Sequence, residues 1–166
     1  VNKASLPKVY GGFNTSLSWK GFDLSAIFAY SIGGYIYNRD ITMILHNGSL
    51  EGRDWSTEIL KRWTPDNRYT DVPALSTTSN NWNSASTRFL QNNSYMRLKN
   101  LTLSYNLPKQ WISKLSLSSV QVYVQGDNLF TIHRNQGLDP EQGITGITYY
   151  RYPAMRTISG GINVSF

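Results

Sequence analysis

Ile162-Asn163-Val164-Ser165-Phe166 is the stretch on which the fold turns. Apolar and polar residues alternate to the last position, and the last is a large aromatic. Followed back from Phe166, the residues Val164, Ile162, Gly160 and Ile158 share its parity, and Ser165, Asn163, Gly161, Ser159 and Thr157 take the other. Successive side chains of a strand point to opposite faces, so this strand has one greasy or small face and one polar face. A terminal aromatic on such a strand needs an apolar place to sit. The closing strand of an outer-membrane barrel supplies one at the membrane interface, with its polar face turned to a watery lumen.

Four further segments carry the same period of two. The spacing predicts strands over about Tyr10 to Lys20, Phe22 to Tyr37, Tyr95 to Asn106 and Ser119 to His133, with the last from about Met155 to Phe166. In the first, Phe13, Leu17 and Trp19 oppose Asn14, Ser16, Ser18 and Lys20. In the second, Phe22, Leu24, Ala26, Phe28, Tyr30, Ile32 and Ile36 share a face. The fourth is the clearest: Val120, Val122, Val124, Phe130 and Ile132 oppose Gln121, Tyr123, Gln125, Asp127 and Thr131. In the third, Arg97 and Lys99 share the parity of Leu101, a conflict with two solutions. Either a bulge near Asn100 resets the facing, or both cations lie beyond the hydrocarbon. The predicted lipid-facing set is Val120, Val122, Val124, Phe130, Ile158, Ile162 and Val164, with Gln121, Gln125, Asn163 and Ser165 facing the lumen.

Connections alternate in length. Gly21 makes a tight turn and Leu107 to Ser118 a modest one, whereas 38–94 and 134–154 are long. Short turns at one end and long loops at the other are the outer-membrane pattern, periplasmic and extracellular respectively. The longer loop holds a small helix candidate, Ser56 to Trp63, which Asp54 or Ser56 can cap and Thr64-Pro65 stops. Residues 76–86 are polar and rich in Asn, Ser and Thr, as in a loop without its own core.

Composition narrows the function. Charged residues make up 16 %, below the usual ~25 % of soluble domains, while the chain carries 11 Tyr, 6 Phe and 5 Trp. The mean hydropathy of −0.38 is compatible with alternating strands, which never produce a hydropathy peak. No run long enough for a membrane-spanning helix occurs. No signal peptide opens the chain, so a secreted product has lost one or this is the tail of something longer. The net charge is +6, and the excess lies outside the long loop, where six basic and six acidic residues cancel. That scatter, without a recognition motif, argues against nucleic acid. Arg134, Arg151 and Arg156 flank the second loop, where anionic lipopolysaccharide or plain solvent would meet them.

Catalysis has little to stand on, and no enzyme, cofactor or metal is expected. His46 and His133 lie in or beside loops with no partner at a catalytic spacing, and the chain has no Cys. The better binding candidates are Trp55, Trp63, Trp82, Tyr149, Tyr150 and Tyr152, aromatics on the predicted extracellular side where cargo or a lid could stack. Packing of the loops among themselves would use the same residues.

Several pieces, in order, resemble the C-terminal barrel portion of a SusC/RagA-like TonB-dependent outer-membrane transporter. They are Pro7-Lys8-Val9-Tyr10-Gly11-Gly12-Phe13-Asn14-Thr15, Trp19-Lys20-Gly21-Phe22-Asp23-Leu24-Ser25, Ile36-Tyr37-Asn38, Arg62-Trp63-Thr64-Pro65-Asp66-Asn67 and Pro73. Then come Arg97-Leu98-Lys99-Asn100-Leu101-Thr102-Leu103-Ser104-Tyr105-Asn106-Leu107-Pro108, Val122 through Thr131, Asp139-Pro140-Glu141, and Tyr152-Pro153 through Phe166. The resemblance implies an all-β, antiparallel transmembrane barrel of about 22 strands around a plug. It implies import of glycans or peptides across the cell outer membrane, energy from TonB and a SusD-like surface lipoprotein as lid. Five strands cannot close such a barrel, so the expectation is that the remaining strands, the plug and the TonB-contacting segment lie outside these residues. The same resemblance makes Phe166 a candidate assembly signal. The rival reading is a soluble β-sandwich that binds carbohydrate.

Overall fold

The computed structural model describes residues 2–46, 50, 52–76, 78, 84–113, 117–135, 137–141 and 145–166. Its elements are β1 (Val9–Trp19), β2 (Phe22–Ile32), β3 (Tyr35–Asn38), α1 (Arg39–Ile44), β4 (Leu90–Asn92), β5 (Tyr95–Asn106), α2 (Lys109–Ile112), β6 (Ser119–His133), β7 (Ile147–Thr148) and β8 (Thr157–Ser165). Two compact units divide them. One holds residues 7–34, 93–141 and 152–166; the other holds 35–92 and 142–151 with the N-terminal residues through Leu6. None of the helices among the described residues is long and apolar enough to cross a membrane.

The first unit is a five-stranded antiparallel sheet in the order β1-β2-β5-β6-β8. Trp19 pairs with Phe22 across a two-residue turn in which Lys20 and Gly21 have φ of +47° and +89°. Positive φ at both central positions matches the twist of the flanking strands, and a glycine at the second makes it easy. Along β5, Asn100 faces Ile27 and Leu98 faces Phe28, so Lys99 stands unopposed. This is the bulge near Asn100 that was one of the two solutions to the parity conflict. It sets Arg97 on the polar face while Leu98 and Leu101 both remain on the apolar one. Both long connections leave the sheet at the end opposite the Lys20-Gly21 turn.

The strand predicted to run from Phe22 through Tyr37 stops at Ile32. Gly33 and Gly34 both have positive φ, +83° and +76°, and no strand continues through two such residues. The chain resumes as β3 in a different sheet, which places Ile36 in the second unit at 2 % exposure rather than on the outer face of the first. Periodicity missed the break because the apolar parity happens to run on across it.

The second unit is a three-stranded sheet, β4-β3-β7, with β3 antiparallel to β4 and parallel to β7. Its core is Ile36, Ile59, Val72 and Phe89, each at most 5 % exposed, and the Tyr37 ring meets Phe89 edge-on. Asn38 caps α1 by accepting the Ile41 N–H. The Ser56 hydroxyl likewise accepts the Glu58 N–H at the head of a short 3-10 helix, Thr57–Lys61, where the sequence predicted a helix. Segments read as two separate loops thus share one small sheet.

Candidate functional site: a two-faced sheet and its anchored loops

The register of the five-stranded sheet sorts most of its side chains by polarity, with Ile27 and Ala29 falling on the polar face opposite Asn100 and Arg97. Phe13 pairs with Phe28, Leu17 with Leu24, Leu24 with Leu103 and Leu103 with Val124; Val122 pairs with Ile162, and Val120 with Val164. Phe130 lies opposite Leu98, and Ile158 opposite Gly126 on the same face. All seven predicted outward residues therefore share one apolar face. Its rings stack, Phe13 on Phe28 at 4.7 Å and Phe22 against Tyr105 at 4.5 Å. The face is nonetheless uncovered: Ile158 is 72 % exposed and Ile162 65 %. Contiguous apolar surface on this scale marks a place meant for a non-aqueous neighbour.

The opposite face carries Gln121, Gln125, Asn163 and Ser165 with the other polar residues. Near the tight-turn end, side chains join across every strand. Ser18 and Asn106 each donate to Asp23, Gln121 donates to Asn106, and Asn163 donates to Gln121. Farther up, Asn100 and Gln125 donate to Asp127. Buried or half-buried polar groups need such partners, and here they find them laterally rather than across a core.

Above this ladder the second long connection is tied to the sheet. Arg97 is 3 % exposed and its guanidinium reaches three groups: Asp139 at 2.5 Å, Glu141 at 2.8 Å and the Thr131 hydroxyl at 2.9 Å. Lys99, placed by the bulge, bonds the same Glu141 at 2.5 Å. Asp139 also accepts the N–H groups of Glu141 and Ala154. Asn93 donates to the Pro140 carbonyl, and Asn135 to Asn93. Sequence spacing gave no hint of this cluster. The usable signal was chemical: two cations on a strand that bears an apolar face require acids nearby, and Asp139-Pro140-Glu141 is the acidic pair outside the loop that balances its own charge.

Burial alone would raise the Asp139 carboxyl. The Ala154 and Glu141 N–H groups and the Arg97 guanidinium outweigh it and hold the group below its ordinary value of 3.8. A lowered carboxylate contributes stability that is complete above the ordinary value and is lost as pH falls through the folded one. Heat resistance of the full-length protein should therefore hold down to about pH 4 to 5 and then decline. Asp139→Asn should flatten that decline while lowering the plateau. An unchanged acid limb in the variant would mean that other carboxylates set it.

In the second unit the predicted aromatics do not converge on one point. Tyr149 and Tyr150 meet at 4.2 Å with a 48° tilt. Arg39, which the sequence reading overlooked, sits 4.9 Å from the centre of the Tyr149 ring. Trp55 packs edge-on against fully buried His46, whose ring nitrogens have no hydrogen-bond partner among the described residues. The Trp63 N–H donates to the Val72 carbonyl, so that residue closes a turn. Tyr152, in the first unit, is 98 % exposed. Trp82 lies outside the described residues. His133 bonds the Asn135 carbonyl, and no cluster of metal-ligating groups occurs among the described residues.

No protein-family model matches the chain. Among curated proteins it is 34 % identical to TonB-dependent receptor P3 of Formosa agariphila over 93 % of its length, and 28 % identical to TonB-dependent receptor SusC of Bacteroides thetaiotaomicron over all of it. The chain spans 16 % of the length of each of these relatives. Among solved structures it is similar to the RagAB peptide importer in its open-open state, with a TM-score of 0.88 and 35 % identity over the whole chain and 18 % of the other. The closed-closed state gives 0.86 and 34 %. These relatives are receptors and importers rather than enzymes.

Proposed function

Since the chain is a barrel segment of a SusC/RagA-like TonB-dependent receptor, we propose that it serves TonB-dependent import of glycans or peptides across the bacterial outer membrane. Its part is to supply five adjoining wall strands and two loops, without chemistry of its own. The observation that carries this reading is the separation, interrupted at Ile27 and Ala29, of an exposed apolar face from a hydrogen-bonded polar one. Val120, Val122, Val124, Phe130, Ile158, Ile162 and Val164 then face lipid, and the Asp23 and Asp127 ladders face the lumen. A soluble sandwich would lay a second sheet over the apolar side, whose residues here stay exposed. The outer edges of β1 and β8 pair with the remaining strands of the same barrel, since unpaired backbone in hydrocarbon costs several kcal/mol per group.

In this reading 38–94 and 134–154 are extracellular, and their aromatics meet a SusD-like lipoprotein or the cargo. Arg134, Arg151 and Arg156 are exposed and adjoin lipopolysaccharide at the rim. Phe166, 92 % exposed beyond the end of β8, serves as the assembly signal. TonB acts through parts of the receptor outside this chain. The test is energised uptake by the full-length receptor. Cargo should bind with or without TonB and enter the periplasm only with it; entry that ignores TonB would reduce the protein to a passive pore.

A further inference from the structure

Arg39 and Asp40, the first residues of α1, do different work although they are neighbours. Both carboxylate oxygens of Asp40 lie within reach of the Tyr150 N–H, at 3.1 and 3.3 Å. That contact holds Tyr150 at φ +46°, a left-handed conformation that residues other than glycine rarely adopt. Held so, the Tyr150 ring meets the Tyr149 ring, and the Arg39 guanidinium lies over the Tyr149 ring, 4.9 Å from its centre. Both tyrosines are substantially exposed, at 44 % and 62 %. Arg39 is exposed too, and no carboxylate among the described residues lies within ion-pair distance of it. Asp40, the acid next to it, is engaged by the Tyr150 N–H.

We propose that Arg39, Tyr149 and Tyr150 form a subsite for a carboxylate-bearing peptide cargo, with Asp40 as the residue that positions the rings. This rests on the importer reading above and goes beyond it by naming the group recognised. The guanidinium fork matches a carboxylate in two parallel hydrogen bonds. The exposed tyrosine faces accept the adjoining apolar part of the peptide. A neutral glycan fits less well. It brings no charge to match the fork, and the two rings are tilted by 48° rather than forming one flat platform.

The experiment uses the full-length receptor in detergent and two fluorescent, C-terminally amidated octapeptides, one of Glu, Ala and Ser and one with Gln in place of Glu. The wild type should bind the Glu peptide roughly tenfold more tightly, as one charge-assisted contact warrants. That preference should shrink as salt rises. Arg39→Gln should abolish the preference, lowering the affinity of the Glu peptide more than that of the Gln peptide. Asp40→Ala should weaken both peptides, because it removes the acceptor that holds Tyr150 in place. Equal affinities in the wild type, or a preference that survives Arg39→Gln, would overturn the subsite. Tighter binding of an oligogalacturonate than of the Glu peptide would overturn the peptide assignment. The importer reading fails separately, by loss of TonB dependence for all cargo.

Discussion

Arg97→Met in the full-length receptor should lower the free energy of unfolding by about 3–5 kcal/mol, the loss typical of removing one partner from a buried ion pair. Methionine keeps much of the stem volume and removes only the charge and the fork. Asp139, with a side chain 7 % exposed, would keep two backbone donors but lose its cation. Glu141 would suffer less, because it is a third exposed and retains Lys99. The measurement is the urea midpoint of the folded, slow-migrating form in unheated gels. Adding Asp139→Asn to Arg97→Met should recover part of the loss, since the stranded charge is then gone. A single-variant loss below about 1 kcal/mol would show that water reaches the cluster and screens it.

Val124→Arg should cost about 2–4 kcal/mol, the range for a cation at the lipid midplane of a barrel. Val124 lies midway along β6, between Leu103 and Gly160 on the apolar face. The control is Ser159→Arg, on the polar face opposite Gln125, which should stay within about 0.5 kcal/mol. Comparable losses at both positions, or a reversed order, would invert the assignment of lipid and lumen. The pair is informative because the two residues sit on adjacent strands, one residue apart in register.

Most of the main sheet was legible in the sequence because its two faces differ in polarity, and a period of two records that difference along most of each strand. Even the irregularity at Lys99 was foreshadowed, since Arg97 and Lys99 broke the parity of Leu101. What escaped the sequence has other physical origins. The end of β2 depends on φ at Gly33 and Gly34, and hydropathy carries no dihedral information. A strand of two residues such as Ile147–Thr148 has no period to detect. Arg97 and Asp139 are 42 positions apart, and only the fold decides that they meet. The aromatic candidates were chosen by residue type, which says that a ring can stack but not on what. Trp55 lies edge-on against His46 and the Trp63 backbone bonds Val72, neither contact being visible in residue type, and Arg39 was the neighbour that gave Tyr149 a chemical context.

The pairing of Tyr37 with Ile147 carries a consequence for the order of folding. It joins β3 to a strand 110 positions later, as does the Asp40 contact to Tyr150. Closing so long a loop in a loose chain is entropically slow and unrewarded until the end. Once β2, β5 and β6 are hydrogen-bonded side by side, the free chain that must be closed is far shorter, and the barrier falls with it. The small sheet is therefore expected to close after the five-stranded one has paired.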